Sequence, residues 1–539
     1  MHERKSAAAL IRRSFAVGVA CAVAAFGLTA CSRDSSSTGL KGGLLEGGTL
    51  KLATKSKSTD ANPYSQTGIS LSGFAYDSLI YVDSRGDVVS GLASGWTTSQ
   101  SAATFTLRKD VTCSDGTKLT AEDVAASLTY ASDPKNQLVG ARGVLPSVPI
   151  TAKGDNSTGV VEVKTSSPYP FIPETVGVLP IVCPAGLKNP KSLEGESHGT
   201  GPYILKSFKP AGPYEFTVRA GYTWGPDGAT TAEPGVPTKI DIQVVTNEST
   251  ATNRILRGDL NISEAAGPEM TRLERRRDLF SVEIPLLVGL LFFNERSGHP
   301  TSDPDVRRAL VAALDVQKLA NVAAGGKGKP AQDLMATNAV CHADIAKDNL
   351  PTGDAARMLA DAGWIAGNGG TRTKGGKPLT IKVYTSASLG STLPSVVELM
   401  AEMWKAVGVD VQIKSVDLNA LMNVMFTTTE FDALVGASAG FHLPAEEIPF
   451  FSGPTPPKGL NFAAVNNPDY AQLAKKALVQ PGKEGCPTWN AAFAAFFKDA
   501  DMLPIADGIG KIFGYKTEFA TTSITSGDGL IPTSIRMHK

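Results

Sequence analysis

A helix between two strands constrains this chain more than any other feature of it. Leu393 to Val407 places Val396, Leu399, Met400, Met403, Trp404 and Val407 at three- and four-residue spacings, so a helix here carries one continuous apolar face. Gly408 stops it. A strand-like run, Leu379 to Tyr384, precedes it and another, Val409 to Ile413, follows. Strand, helix and strand in that order make a crossover that sets the two strands parallel and lays the apolar face on the sheet. The middle third is therefore α/β. Two further helices precede it: Asp303 to Ala313, with Pro304 in its first turn, and Thr352 to Ala362, stopped by Gly363.

The first third is richer in strands. Thr49 to Thr54 alternates around Leu50 and Leu52 as a half-buried strand does, and Phe105 and Leu107 repeat the period. Turn residues crowd at Asn62-Pro63, Arg85-Gly86-Asp87 and Ser114-Asp115-Gly116-Thr117, the last two reading as hairpin corners. Thr120-Ala121-Glu122-Asp123 has the form of a capping box, which starts a helix running to about Ala131.

Two stretches raise the question of a membrane. Ile284 to Phe293 is half the length of a spanning helix, which needs about 20 residues, and a fully buried strand suits it better. Phe15 to Ala30 runs without a charge behind Arg4, Lys5, Arg12 and Arg13, the pattern of an export signal too short to span. Leu28-Thr29-Ala30-Cys31 resembles the lipobox of bacterial lipoproteins. That likeness implies cleavage before Cys31 and a diacylglyceryl anchor on its sulfur, each buried methylene worth about 0.8 kcal/mol. A plain secretory leader is the alternative, and Arg12-Arg13 leaves twin-arginine export open. Residues 1–30 are read as the leader and the Ser/Gly-rich residues 31–48 as a flexible tether.

With 52 basic and 52 acidic residues there is no cationic excess for a nucleic acid, and loss of the leader makes the remainder mildly acidic. Fifty-four glycines and 34 prolines in 539 residues fall well below the roughly 25–30% of low-complexity chains. After Cys21 and Cys31, four cysteines remain, Cys113, Cys183, Cys341 and Cys486, which allow three disulfide connectivities. No cysteines sit at two-residue spacing and no histidines at i, i+4, so no metal site is expected. His342, beside Cys341, reads as a surface histidine. Gly367-Asn368-Gly369-Gly370 reads as a flexible corner, with no Gly-Lys-Ser/Thr to make it a phosphate cradle.

One motif suggests an enzyme. Gly436-Ala437-Ser438-Ala439-Gly440 fits a nucleophile elbow after the apolar strand Phe431 to Val435. An elbow continues at once into a helix, and Phe441-His442-Leu443-Pro444 puts a proline in the way. A small-residue loop at the carboxyl end of a strand, where open α/β sheets receive ligands, is the preferred reading. A secreted serine hydrolase using Ser438 is the remote alternative.

Several blocks in one order resemble the extracytoplasmic solute-binding proteins of ABC importers, in the family of oligopeptide- and dipeptide-binding proteins. They are Phe74 to Leu79 with Gly91 to Trp96; Thr104 to Arg108, Val111, Ser114 to Thr117 and Thr120 to Val124; Gly199 to Tyr203; and Tyr222 to Gly225. Asn294, Val306 to Leu310 with Asp315, and Ala355 to Trp364 complete the series. The resemblance implies an α/β, two-lobed periplasmic-binding-protein-like fold (type II, large peptide-binding class) with an extra subdomain in lobe one. Lobe one would hold residues 49–290 and the return 499–539, lobe two residues 291–498, with crossings near Ile284 to Asn294 and Asp499 to Ile505. Pairing within lobes, Cys113 with Cys183 and Cys341 with Cys486, would leave lobe motion free, though the residues keep all three connectivities open.

The implied role is a monomeric, lipid-anchored receptor on the outer face of the cytoplasmic membrane, or in the periplasm. It would pass a peptide-like solute to the permease subunits, with no cofactor and no nucleic-acid partner. The same cleft could instead take an oligosaccharide, siderophore or other small molecule. Candidate contacts are Asn62, Tyr64, Phe74 and Tyr76 from lobe one, Asn294 at the crossing, and Gly436, Ala437, Ser438, Ala439, Gly440 and Phe441 from lobe two. Peptide-binding relatives carry a tryptophan and, three residues on, an aspartate for the peptide's amino terminus, where this chain has Ala437 and Gly440. Either Glu446 or Glu447 supplies that carboxylate, or the ligand has no free amine.

Overall fold

In the computed structural model the crossover forms within two residues of the expected bounds. Its strands are Thr380–Thr385 and Asp410–Ser415, paired in parallel, and its helix is Leu393–Ala406. The structure describes residues 42–539 apart from positions 56, 66, 84–85, 327, 368, 437–441 and 523–528. The export leader, Cys31 and most of the tether therefore lie outside the described residues, as do Ala437, Ser438, Ala439, Gly440 and Phe441.

The described residues build one eleven-stranded mixed sheet. In chain order its strands are β1 (Thr49–Thr54), β2 (Tyr203–Ser207), β3 (Tyr214–Val218), β4 (Lys239–Val244), β5 (Ile262–Ala265) and β6 (Leu279–Phe293). There follow β7 (Lys329–Pro330), β8 (Thr380–Thr385), β9 (Asp410–Ser415), β10 (Ala433–Gly436) and β11 (Met502–Tyr515). Across the sheet the order is β9, β8, β10, β6, β11, β5, β1, β4, β3, β2, with β7 added to β11. At one end β1 has parallel neighbours on both sides, β4 and β5; at the other, β8 has parallel neighbours on both sides, β9 and β10.

The two ends are joined by β6 and β11, antiparallel from Leu279 opposite Tyr515 to Phe292 opposite Met502. The expected strand Ile284 to Phe293 is the second part of β6. Its first part alternates, with Ser281 and Glu283 exposed and Val282 and Ile284 half-buried, so it has no apolar run to betray it. Likewise β11 runs ten residues past the expected crossing at Ile505. Arg307 ties the far ends of both strands together. Its Nη2 meets Asp501, just before β11, at 2.7 Å, and its Nη1 lies 3.8 Å from Glu295, just after β6.

The described residues form three hydrophobic cores, two of them large. One lies under the helix Leu393–Ala406, which buries Val396, Met400 and Trp404 against Leu291, Phe293 and Leu503, each such side chain contributing about 1.5–3 kcal/mol. Leu399, Met403 and Val407 are half-buried at its margin. The other core includes a separate four-stranded antiparallel sheet of Ala93–Thr98, Ala102–Leu107, Val160–Thr165 and Ile150–Asp155. The helix Ala121–Ser132 packs on that sheet and opens on the expected capping box, with Thr120 and Asp123 each accepting the other's backbone N–H. The glycine-rich corner lies between two paired strands, Ile365–Ala366 and Arg372–Lys374, with Asn368 outside the described residues.

Three of the sequence blocks meet at one buried carboxylate. Asp77 accepts from Tyr81 Oη (3.0 Å), Thr200 Oγ1 (2.9 Å), Tyr222 Oη (2.8 Å) and Trp224 Nε1 (3.0 Å). Burial pushes its pKa up while the four donors pull it down. Gly199 and Gly201 allow this convergence, because a Cβ on either would stand 2.3–2.4 Å from the backbone of Ala75. Disulfides link Cys113 to Cys183 and Cys341 to Cys486. His342 is not at the surface: its side chain is 17% exposed and lies 3.7 Å from Asp333, because Asp333 is itself buried under the 341–343 turn.

Candidate functional site

In an open α/β sheet the crevice for a ligand lies beyond the carboxyl ends of parallel strands, where connections diverge to opposite sides of one strand. This chain has two such points. At the first, β1 and β5 pair only at Leu52 and Ile262 and then part company, while β1 stays paired with β4 as far as Thr54. The wedge holds a cavity of about 200 Å³. Its walls are aliphatic, from Leu52, Val245, Ile262 and Ile512, and its polar groups come from Thr54, Lys55, Ser263 and Glu264.

The rim of this cavity is fixed by the helix Glu248–Arg257. Asn247 caps it by accepting the N–H of Thr250 at 2.8 Å, which leaves Glu248 in the first turn, where the helix dipole favours an acid. Glu248 then accepts the N–H of Ala266 at 2.7 Å and pairs with Lys55 at 3.4 Å, tying the ends of β5 and β1. The lining sets aliphatic surface beside hydrogen-bonding and charged groups. Among the described residues no group of three His, Cys, Asp or Glu side chains could hold a metal ion.

The second point lies where β8 and β10 end at Thr385 and Gly436. The Thr385 hydroxyl is buried with no partner among the described residues, and Ser386 Oγ accepts the N–H of Ser388. The chain re-enters the described residues at His442. A proline-led 3-10 turn, Pro444–Glu446, stands where an elbow would continue as a helix. Glu446 folds back to accept the N–H groups of His442 (3.3 Å) and Leu443 (3.2 Å), and burial lifts its pKa to about 7. Glu447 is 0% exposed, and its carboxylate has no hydrogen-bond partner among the described residues. Burial first, then the nearby Asp333 and Glu446, raise its pKa well above the usual range.

Residues 87–454 match the family described as bacterial extracellular solute-binding proteins, family 5 (middle). This chain belongs to that family. A family 5 binding protein is two-lobed, and in this chain the two switch points lie on opposite sides of β6 and β11 in the sheet. The chain is 28% identical over 397 residues to protein XP55 of Streptomyces lividans, covering 69% of this chain and 68% of that one. It is 25% identical over 460 residues to the periplasmic murein peptide-binding protein MppA of Escherichia coli K12, covering 80% and 81%. Among solved structures, the periplasmic EDTA-binding protein EppA shares the fold with a TM-score of 0.77 at 17% identity, covering 92% of this chain and 98% of that one.

Within this family 5 chain, five of the candidate contacts are engaged in scaffolding. Asn62 accepts the N–H of Tyr64 at 3.0 Å, and Tyr64 spends its hydroxyl on Ser127 and the carbonyl of Pro180, both at 2.7 Å. Phe74 packs against Tyr203 and Phe216, and Tyr76 accepts the N–H of His198. Asn294, fully buried, donates to the carbonyls of Thr429 and Phe431. All five are held by neighbours, and none of them lines the wedge cavity. Gly436 does stand at the carboxyl end of β10. The residues that sequence reasoning missed are Thr54, Lys55, Glu248 and Thr385. The signal was available, since Thr54 and Thr385 end strands already recognised, and parallel strands receive ligands at that end.

Proposed function

We propose that this chain is the substrate-binding lipoprotein of an ABC importer, anchored through Cys31 on the outer face of the cytoplasmic membrane. It takes a peptide or peptide-like solute between lobe one (residues 49–290 and 499–539) and lobe two (291–498), works as a monomer, and passes the solute unaltered to the permease subunits. The observation that carries this reading is the pair of parallel switch points at opposite ends of one sheet, joined only by β6 and β11 within it. A solute touching both lobes favours the closed form and shifts the population toward it. The murein peptide named for one relative and the EDTA named for one structural neighbour make both a peptide and a non-peptide solute reasonable in this fold.

A specific observation favours a solute without a free amine. Glu446 is occupied by two backbone N–H groups and Glu447 is fully buried, so neither carboxylate stands open to an ammonium group. The remote hydrolase reading loses support from the proline-led turn after the Ser438 loop. Isothermal calorimetry with matched free and N-acetylated peptides tests the proposal. Equal affinities support it; strict dependence on the free amino terminus overturns the amine-free reading. Labelling by a fluorophosphonate, abolished in Ser438→Ala, would overturn the non-enzymatic one.

A further inference from the structure

The lobes proposed above also meet in a packed core, and acids stand in that core. Tyr169, Phe171 and Ile172 from the lobe-one side share one buried apolar cluster with Leu443, Tyr470 and Trp489 from the lobe-two side. Across the same junction the N–H of Gly482 donates to the carbonyl of Pro170 at 3.0 Å. Glu174, on the helix Ile172–Val176, belongs to the first side; Asp333, Glu446 and Glu447 belong to the second. Asp333 and Glu447 are fully buried, and Glu174 and Glu446 are half-buried. Tyr169 is within electrostatic reach of Glu446 and Glu174, one from each side, and Glu447 is within reach of Asp333, Glu446 and the Tyr470 hydroxyl.

Little answers these charges. Asp333 accepts the N–H groups of Leu334 (2.7 Å) and Ala343 (2.8 Å), and Glu446 accepts those of His442 and Leu443. Both oxygens of Glu447, one oxygen of Glu174 and the Tyr470 hydroxyl are buried with no partner among the described residues. The cations in reach lie at the margin: Lys483 acts on Glu174 from an exposed position, and His342 stands 3.7 Å from Asp333. Asp507 adds another acid near Asp333, and burial of His442 disfavours its charged form. A carboxyl group shut into apolar surroundings without a cation keeps its proton. Burial accordingly lifts Asp333 and Glu446 to about 7, Glu447 well above the usual range, and Glu174 upward as well.

We propose that this junction is a proton-operated clasp: Glu447 is a neutral carboxylic acid in the closed receptor, and ionisation of Glu447 together with Glu446, Asp333 and Glu174 drives the lobes apart. The clasp rests on the two-lobed receptor and the lobe boundaries proposed above. The closed form holds protons that the rehydrated open form releases. Closure is therefore strongest below the ordinary carboxylate range, and it weakens as pH rises, through about 7 for Glu446 and Asp333 and beyond that for Glu447. Each such acid lowers the closed-to-open ratio by up to about tenfold per pH unit within its window. Capture of solute is favoured at acidic pH and release at alkaline pH.

The test is small-angle X-ray scattering of the solute-free full chain at pH 5 and pH 8, with far-ultraviolet circular dichroism to confirm that it is folded at both. The parent should be compact at pH 5 and expanded at pH 8, whereas Glu446→Gln with Glu447→Gln, which is neutral at both, should expand less. Infrared spectra of the parent at pH 6 should show the carbonyl stretch of a protonated carboxylic acid, weakened in Glu447→Gln. Absence of that band, or a glutamine pair that expands as far as the parent, would overturn the assignment to these acids. Parent profiles that coincide at the two pH values yet contract with a member of a metabolite screen would overturn the clasp and leave the receptor standing. Profiles fixed under both treatments would overturn both.

Discussion

Removing the guanidinium that ties the two crossing strands together should be among the most damaging single changes in lobe two. Arg307 is 5% exposed at its side chain and Asp501 2%, and they meet at 2.7 Å. Arg307→Met fills similar space but leaves Asp501 buried, with Asn467 Nδ2, at 2.7 Å, and the Glu295 carboxyl as its remaining close partners. Breaking a buried pair from one side costs about 3–5 kcal/mol, because the surviving charge is uncompensated. Glu295 does not add a full second charge at neutral pH, since burial and then the Asp501 carboxylate lift its pKa to about 8. Urea unfolding at pH 7 should therefore show a loss of about 3–5 kcal/mol in Arg307→Met. Arg307→Met with Asp501→Asn should recover much of it, because the stranded charge is gone. A single variant within about 1 kcal/mol of the parent, or a double variant no better than the single, would refute the argument.

Asp77→Ala strands three hydroxyl donors, Trp224 Nε1 keeping the Thr200 carbonyl at 3.2 Å, and at about 1–3 kcal/mol for each unpaired group it should abolish cooperative unfolding of lobe one, while Asp77→Asn retains it; near-ultraviolet circular dichroism on heating separates the two. Burial lifts Glu446 from an ordinary 4.5 to about 7, so the folded chain holds a proton that the unfolded chain releases, and stability falls as pH rises from 4.5 to 7. Glu446→Gln should remove up to roughly 3 kcal/mol of that fall, read as urea midpoints at pH 5 and pH 8; an unchanged difference between the two would contradict the assignment. Replacing Cys113 and Cys183 together by serine releases a loop closed over 70 residues and should cost about 4 kcal/mol, measured the same way; a loss under about 1 kcal/mol would show that the unfolded chain is little constrained by the bridge.

Local signals reported local structure well. The apolar face of Leu393 to Val407, the capping box at Thr120 and the pairing of Ile80–Val82 with Val88–Ser90 across the expected corner each depend on neighbours within a few residues, and each is present in the fold. The first part of β6 depends on a distant partner, β11, and on having one face uncovered, so no run of apolar residues marks it. The site was less legible for a related reason. Tyr64, Phe74 and Tyr76 look like ligand-facing aromatics in sequence, but aromatic side chains bury readily and hydroxyls find partners inside, as Tyr64 does with Ser127. Lys55 and Glu248 become one feature only when β1 and the helix after β4 are brought together across 193 residues.

Intact-mass measurement of the folded protein, purified from its native host, followed by the same measurement after unfolding, bears most directly on the receptor reading. One non-covalent solute per chain, lost on unfolding and recovered chemically unchanged, is the expected result. A folded protein that carries no added mass even after incubation with host extract, or one that releases its solute in cleaved form, would contradict it.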